Sequence, residues 1–318
     1  MTVKLALAGD TMLGRKVGEA LAERPSRALV APEVAEVAGE ADLFVLNLEC
    51  CVSERGAPWR LPGKPFFFRA PPAAAELLAA LGVDCVTLAN NHALDFGTEA
   101  LADTLRHLAA AGIATVGAGP DLATAHRPAV LRAAGLRLAV IGATDHPEQF
   151  AAGHGRPGVA FADLRAGLPA WLDRAVRSAD ADVVLVTPHW GPNMTSAPLP
   201  YVRQAAGALV DAGATLVAGH SAHVFHGMAG RVLYDLGDFL DDYAVDQVLR
   251  NDLGLLFLVT LDGRGPSLVE AVPLALDYCH TRLAEGADAA WVRRRFRQAC
   301  AGLGTEADEH AGRLVVRL

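Results

Sequence analysis

The chain alternates short runs of apolar residues with longer amphipathic stretches. In the amphipathic stretches the apolar positions recur every three or four residues, which is the helical period. Residues 98–111 show this period best, with Leu101, Leu105 and Leu108 on one face. Gly112 follows them, as expected of a glycine that ends a helix. Strands that alternate with helices in this way predict a layered α/β domain.

The predicted elements run through the chain without an internal repeat or a low-complexity linker. The predicted strands are residues 3–8, 41–46, 83–88, 113–116, 129–132, 137–141, 183–186, 215–218, 231–234, 255–261 and 268–274. The predicted helices are residues 16–22, 98–111, 164–178, 201–212 and 291–301. The last two strands flank Asp262 and Gly263 and are expected to pair antiparallel. We expect a single domain over residues 1–318.

Polar side chains recur directly after the predicted strands. They are Asp10, Glu49, Asn91, His92, His189, His220 and Asp238. Ligands of α/β proteins bind outside the carboxyl ends of the strands, so we expect these side chains to meet in one region. Carboxylate, amide and imidazole groups are all metal donors. The sequence therefore predicts a metal site.

Several of these positions allow a second interpretation. Asp10 could ligate a hard cation or cap the helix that follows it. His92 is a candidate acid or base, and Asp95, three residues later, could orient its imidazole. Asn and Asp in this stretch also suit a capped turn before the next helix. A single histidine such as His189 is more often structural.

A histidine pair and one arginine are further candidates. His220 and His223 are three residues apart in one loop, so their imidazoles could converge on one ion. His226 follows at the same spacing, but three-residue spacing in extended chain alternates faces, so we leave it outside the predicted site. Arg15 could clamp an anionic group of a substrate through two parallel hydrogen bonds, or it could be an ordinary surface residue.

Composition and charge narrow the class of protein. Hydrophobic residues make up 52% of the chain, which is enough for a large core and excludes a disordered protein. The formal net charge is −8 without a basic block, which argues against nucleic acid as a partner. No apolar run reaches the ~18 residues of a membrane span, and residues 5–8 are too short for a secretory signal. We expect a cytoplasmic protein without direct membrane insertion.

Motifs of other enzyme classes are missing from the sequence. The glycines at 117 and 119 do not continue into a dinucleotide fingerprint, and no GxxxxGK[ST] motif occurs. No GxSxG motif marks a serine nucleophile either. We therefore do not expect a dehydrogenase, a nucleotide kinase or a serine hydrolase.

Seven short motifs together carry a family resemblance. They are GDTMLGR at 9–15, NLE at 47–49, ANNHALDFG at 89–97, GIATVGAG at 112–119, HWG at 189–191, GHSAHVFHG at 219–227 and YDLGDF at 234–239. In this order they resemble the CapA-like proteins, the poly-γ-glutamate or capsule synthesis family. That family shares its fold with the calcineurin-like metallophosphoesterases. The resemblance implies a four-layer α-β-β-α sandwich with a metal centre at one edge of the paired sheets.

The resemblance also implies roles for particular residues. The expected metal ligands are Asp10, Glu49, Asn91, His189, His220 and His223. His92 occupies the place of the acid/base histidine of the metallophosphoesterases. The chain departs from their pattern because Met12 replaces a histidine ligand, Glu49 stands where they supply a bridging Asp, and Asp238 stands where CapA-like proteins typically have Asn. Fewer imidazoles and more carboxylates favour Ca²⁺, Mn²⁺ or Mg²⁺ over Zn²⁺, as one or two ions.

Three functions fit this resemblance. Some CapA-like proteins without a membrane anchor act as peptide epimerases in lasso-peptide biosynthesis, and this tailoring of a ribosomal peptide is our first interpretation. A cation would polarise a carbonyl while groups on opposite faces exchange the α-proton. Asp10, His92 and Asp95 are candidates for this exchange, and His280 is a further one for the opposite face.

The epimerase hypothesis also requires a pocket with an apolar wall for a peptide end. Trp190 could contact the substrate there, together with Trp59 and residues 66–68. The second interpretation is a metal-dependent hydrolase of phosphoester or amide bonds, in which His92 protonates the leaving group. The third is an accessory protein of poly-γ-glutamate synthesis. In the first two the partner is a peptide or small-molecule substrate.

Overall fold

The computed structural model describes residues 2–23, 29–60 and 63–318. Its helices are α1 (Arg15–Glu23), α2 (Pro32–Ala38), α3 (Ala73–Ala80), α4 (Gly97–Ala110), α5 (Leu122–Ala125), α6 (Ala170–Arg177), α7 (Pro200–Ala212) and α8 (Gly286–Ala301). None of these helices combines the length and the apolar character that crossing a bilayer requires, a search confined to the described residues.

The strands of the first half are β1 (Val3–Thr11), β2 (Leu43–Leu48), β3 (Cys51–Val52), β4 (Arg69–Ala70), β5 (Cys85–Thr87), β6 (Ala114–Val116), β7 (Ala118–Gly119), β8 (Ala129–Ala133), β9 (Leu136–Thr144) and β10 (Gly158–Val159). Those of the second half are β11 (Val183–His189), β12 (Leu216–Ala218), β13 (Met228–Ala229), β14 (Val232–Leu233), β15 (Asp238–Leu240), β16 (Leu253–Asp262), β17 (Gly265–Asp277), β18 (His280–Leu283), β19 (Asp308–His310) and β20 (Arg313–Arg317).

The larger sheet runs in the order β19-β20-β17-β16-β1-β2-β5-β6. β1, β2, β5 and β6 are parallel, so their carboxyl ends meet at one edge. β16 pairs antiparallel with β1 as far as Leu7. Beyond that point β15 pairs with β1 instead, and Asp10 lies in register with Asp238. This change of partner places two carboxylates side by side at the end of β1.

The smaller sheet runs in the order β13-β14-β12-β11-β9-β8. β9, β11, β12 and β14 are parallel. A parallel bridge beyond the regular ladder joins His189, the last residue of β11, to His220, just after β12. The carboxyl ends of this sheet therefore present two histidines next to each other.

Apolar clusters define four layers. Side chains of β1 alternate between its two faces, as in any strand: Leu5 and Leu7 pack between the sheets against Val140, while Ala6 and Ala8 face α1–α4. The smaller sheet packs its other face against α6 and α7. Helices, larger sheet, smaller sheet and helices follow one another, which confirms the predicted α-β-β-α sandwich.

The sequence predictions hold for most of the longer elements. The late antiparallel pair is confirmed, since β16 and β17 pair from Leu253 with Ala275 to Asp262 with Gly265. The single helix predicted over residues 164–178 is wrong. A 3-10 turn at Leu164–Ala166 precedes α6, because Gly167 adopts a φ of +108° and proline at 169 cannot donate a helical hydrogen bond. The strands β15 and β18–β20 were not predicted.

Candidate metal centre

Asp10 stands at the centre of a buried cluster of carboxylates and imidazoles. Its ligand atoms lie within 4.8 Å of those of two groups, His223 with Asp238 and Glu49 with His189. His223 Nδ1 is 3.4 Å from Asp10 Oδ2 and 2.8 Å from Asp238 Oδ1. His189 Nε2 is 3.7 Å from Glu49 Oε1. Because Asp10 belongs to both groups, the cluster could hold two neighbouring cations that share this carboxylate.

His220, which was also expected as a ligand, lies beside Asp10. His220 Nδ1 is 3.8 Å from Asp10 Oδ1, so His220 and His223 face the two oxygens of one carboxylate. The loop after β5 contributes Asn91, whose Oδ1 is buried. His226 Nε2 instead lies 2.8 Å from the carbonyl oxygen of Thr195, which places His226 outside the cluster.

The donor atoms of the cluster fit a divalent cation. Buried polar atoms almost always have a hydrogen-bond partner in folded proteins. Six buried side-chain atoms of Asp238 and the expected ligands have none within the described residues: Glu49 Oε1, Asn91 Oδ1, His189 Nε2, His220 Nδ1 and Nε2, and Asp238 Oδ2. Oxygen and nitrogen atoms left in this state are the groups that a metal ion would satisfy.

The backbone around the cluster is shaped for close approach. A Cβ atom on Gly9 would lie 1.8 Å from the carbonyl oxygen of Gly237, and this same oxygen accepts the 2.8 Å hydrogen bond from Asp10 N–H. Ser221 and His223 have φ values of +113° and +58°, in the region that disfavours side chains. Strained residues of this kind concentrate at functional sites. Here they direct the Ser221 N–H to Asp10 Oδ2 at 3.2 Å.

Burial and mutual repulsion affect the carboxylates. Burial raises the pKa of Glu49 well above its usual range, and the charges of Asp10 and Asp238 raise it further against the opposing effect of His223. Burial also raises the pKa of Asp238, with the charges of Asp241 and Asp10 adding to the effect. A bound cation would lower these raised pKa values, because it favours the ionised carboxylates.

The three histidines of the cluster differ in the direction in which their pKa values are shifted. Burial lowers the pKa of His189 well below its usual range and lowers that of His220 to about 4. Both are therefore neutral near pH 7, which is the form of histidine that binds metals. Burial also disfavours the charge on His223, but Glu49 and Asp10 outweigh it and raise the pKa of His223.

His92 forms a second functional unit beside the cluster. Its Nδ1 is 2.6 Å from Asp95 Oδ2, and its ring stacks on Phe68 with centroids 4.0 Å apart. Asp95 is held in turn by the Phe68 N–H at 2.6 Å and by Lys64 Nζ at 3.0 Å. Burial lowers the pKa of His92 to about 4, although Asp95 opposes this effect. The remaining ring nitrogen, Nε2, is the one available to a substrate.

A pocket of about 330 Å³ opens beside both units. His92 and His223 line it together with Arg15, Phe66, Phe68 and Tyr243. Phe68 is buried, whereas Phe66 is 56% exposed and stands at the mouth. The structure thus places Arg15 and residues 66 and 68, all expected near a substrate, next to the candidate metal ligands. Larger cavities elsewhere on the surface lack a comparable cluster of buried donor atoms among the described residues.

Four residues expected at the site lie elsewhere. Trp59 packs on Phe150 with ring centroids 5.4 Å apart, and neither Trp59 nor Phe67 lines the pocket. Trp190 is 2% exposed and does not line the pocket, because its indole packs into the core and donates from Nε1 to the carbonyl of Tyr234 at 2.9 Å. A Cβ atom on Gly219 would approach this indole to 2.4 Å, so Trp190 supports the backbone that leads to His220. His280 lies on β18, half-buried and 3.9 Å from Asp277, and does not line the pocket.

Sequence reasoning missed several residues of the site. Asn47 Nδ2 donates to Asp10 Oδ1 at 2.6 Å, and Asn90 Nδ2 donates to Asn47 Oδ1 at 2.9 Å. Tyr243 Oη donates to Glu49 Oε2 at 3.3 Å. The two asparagines follow predicted strands, as the assigned ligands do, and that position was the available signal. Nothing comparable marks Tyr243, because only the folded chain brings it to Glu49.

The fold and the site define a class of protein: an α-β-β-α sandwich in which parallel strands end at a buried cluster of candidate metal ligands. The profile of the bacterial capsule synthesis protein family PGA_cap matches residues 4–243. The chain belongs to this family, and the predicted CapA-like resemblance is confirmed.

Two relatives agree with this placement, and one solved structure shares the fold. A probable polyglutamine synthesis accessory protein of Mycobacterium tuberculosis is 33% identical over 274 residues, which cover 79% of this chain and 70% of that protein. The PGA biosynthesis protein CapA of Bacillus subtilis is 31% identical over 240 residues, or 74% of this chain and 62% of that protein. A hypothetical protein from Thermus thermophilus matches in structure with a TM-score of 0.52 at 16% identity, covering 86% of this chain and all of that chain. The structural likeness shows the fold alone.

A divalent cation is expected to raise the melting temperature of the metal-free protein. A ligand that binds only the folded state adds about 2.7 kcal/mol at a hundred times its Kd, and here it would also relieve the repulsion between Glu49, Asp10 and Asp238. Scanning calorimetry in EDTA and then with Ca²⁺, Mn²⁺, Mg²⁺ or Zn²⁺ measures the shift. Glu49→Gln should reduce it, and Glu76→Gln on the exposed face of α3 should not. Equal melting temperatures under all conditions would contradict a metal centre.

Proposed function

We propose that this protein is a metal-dependent enzyme that moves a proton at an α-carbon of a peptide, and so acts as a peptide epimerase. One observation carries the proposal. The His92–Asp95 pair and the candidate ligand His223 reach the same pocket, and that pocket has an aromatic wall. Removal of the α-proton requires a base, a metal centre and room for a peptide residue. Inversion also requires a donor that returns a proton to the opposite face of the α-carbon, and we assign this role to the hydroxyl of Tyr243, which lines the same pocket.

The chain supplies each part through its own residues. Asp10, Glu49, Asn91, His189, His220, His223 and Asp238 would hold the metal. A bound divalent cation supplies Lewis acidity, which polarises a carbonyl oxygen and lowers the cost of removing the neighbouring α-proton. Asp95 accepts the hydrogen bond from His92 Nδ1 and thereby fixes the ring, so that Nε2 can take the proton. Phe68 packs on the imidazole and excludes water from one of its faces.

Hydrolysis is the second candidate function, and a different observation favours it. Asp10 takes part in both groups of ligand atoms, and two ions that share a carboxylate are typical of enzymes that activate water for hydrolysis. In that reaction His92 would give a proton to the leaving group. Phosphoester and amide bonds are both possible targets.

An accessory role is the third candidate, and the names of the relatives favour it. The M. tuberculosis relative is described as an accessory protein of polyglutamine synthesis, and the B. subtilis relative as a PGA biosynthesis protein. A purely accessory protein does not need its metal ligands for cellular function. Exchange of Asp10 would then leave that function intact.

An assay in D₂O separates the three functions. The metal-free protein is reloaded with Ca²⁺, Mn²⁺ or Mg²⁺ and incubated with a peptide library and with p-nitrophenyl phosphates, with and without EDTA. Deuterium entering one α-position without bond cleavage, and not in EDTA, is the expected result for the epimerase. Cleavage without α-deuterium would replace the epimerase by the hydrolase. Neither reaction with any substrate would favour the accessory role.

A further inference from the structure

The pocket beside the metal centre has one cationic corner. Arg15, the first residue of α1, lines it on the side of Phe66 and Phe68. The guanidinium carbon lies 5.7 Å from the centroid of each of these two rings. Planar guanidinium groups bind favourably over aromatic faces. The two phenylalanines therefore hold the cation in place within the pocket wall.

A buried carboxylate fixes the same arginine from behind. Arg15 Nη2 lies 3.3 Å from Asp242 Oδ1, and the Asp242 side chain is fully buried. The other oxygen of Asp242 accepts a 2.9 Å hydrogen bond from the Lys16 N–H, so that one carboxylate also anchors the start of α1. Arg15 itself has a φ of +49°. This backbone conformation is costly for a residue with a Cβ, and costs of this kind are retained where a side chain must point in a set direction.

Most of the hydrogen-bonding capacity of this arginine is left open. A guanidinium carries five N–H donors. Among the described residues, the acceptor oxygen that Arg15 contacts belongs to Asp242. The side chain is 38% exposed. Lys64, which also approaches His92, is buried and paired with Asp95. The Arg15 guanidinium is therefore held in position, and its remaining N–H donors are open to a substrate in the pocket.

We infer that Arg15 receives a carboxylate of the substrate, and that the group next to this carboxylate is apolar and packs on Phe66. A carboxylate matches the planar fork of the guanidinium in shape and carries one charge. A phosphate would bring nearly two negative charges beside Asp242 and the acidic cluster, and Arg15 is the arginine of the pocket lining that would offset them. The inference rests on the proposed function only in making the substrate a peptide.

Two parts of a peptide could supply this carboxylate. One is the C-terminal carboxylate, in which case the reacting residue lies at the chain end. The other is the side chain of a glutamate, in which case the reacting residue can lie within the chain. Three probes distinguish them: N-acetyl-phenylalanine, its primary amide, and the amidated dipeptide N-acetyl-Glu-Phe. The first has a terminal carboxylate, the second has none, and the third has only the side-chain carboxylate.

Calorimetric titration of the Ca²⁺-loaded protein with each probe tests the inference. The preferred acid should bind about tenfold or more tightly than the uncharged amide, which is the usual effect of a hydrogen-bonded charge. Arg15→Gln should remove this preference, whereas a carboxylate bound only to the metal would keep it. Arg297→Gln, on the exposed face of α8, is the matched control and should behave as the wild type does. Phe66→Ala should weaken all three probes by similar factors.

The outcomes separate this inference from the proposed function. Equal binding of acids and amide by the wild type overturns the inference, as does a preference that survives in Arg15→Gln. Either result can accompany deuterium exchange, and the epimerase would then stand without the carboxylate site. An Arg15-dependent preference without any deuterium exchange supports the carboxylate site and leaves the epimerase unsupported.

Discussion

An Asp10→Asn variant is expected to bind divalent cations at least about a hundredfold more weakly than the wild type, because even residues that only orient metal ligands cost 10–100-fold. Asp10 is the residue common to both groups of candidate ligands. Asparagine keeps the shape of the side chain but removes its charge. Its amide nitrogen would also face a donor, since Asn47 Nδ2 and the Ser221 N–H donate to the two oxygens of Asp10. Calorimetric titration with Mn²⁺ or Ca²⁺ measures the loss, and turnover should fall with it.

Unfolding should not account for that loss. The charge of Asp10 is among the causes that raise the pKa values of Glu49, Asp235 and Asp238, so its removal relieves repulsion in the metal-free state. The metal-free variant should therefore melt no lower than the metal-free wild type. Asp211→Asn, on the exposed side of α7, is the control for a lost surface charge. Wild-type affinity in Asp10→Asn would remove this carboxylate from the metal centre.

The polar strand ends were readable from local patterns in the sequence, whereas the four-layer order was expected from the family resemblance. In β1, Leu5 and Leu7 pack between the sheets and Ala6 and Ala8 pack against the helices, a division that four consecutive apolar residues do not reveal. Asp10 and the other polar residues at strand ends follow the general rule for parallel sheets. The inference about the strand ends needs no knowledge of distant contacts.

The rest of the site depends on contacts that no local pattern reveals. Asp242 contacts Arg15, although the two residues are 227 positions apart in the sequence. Likewise, β1 pairs with β16 along most of its length but with β15 at its end. Trp190 shows the opposite failure. Its aromatic side chain suggested an apolar wall for the substrate, but the indole packs in the core beside Gly219. Position after a strand therefore predicts which polar residues gather at the sheet edge, but it does not predict which aromatic residues line the pocket.

A His92→Gln variant is expected to lose turnover by about 10²–10⁴-fold, which is the usual contribution of a positioned acid or base. Cation affinity should stay within a few-fold of the wild type, because His92 belongs to neither group of candidate ligands. Glutamine can still donate a hydrogen bond to Asp95, but its amide cannot accept and return a proton during the reaction. Rates of the reaction found in D₂O, measured beside cation titrations, give both quantities.

The role of His92 is decided by comparing the loss of turnover with the loss of cation affinity in the variant. His154→Gln exchanges an exposed histidine and should leave both quantities unchanged. Asp95→Asn should slow turnover as well, because it weakens the hold on His92 Nδ1 and on Lys64. Equal losses of rate and cation affinity in His92→Gln would mean that His92 supports the metal centre instead of the proton transfer. Wild-type turnover would remove His92 from the reaction, and the base would then have to be sought among the other residues that line the pocket.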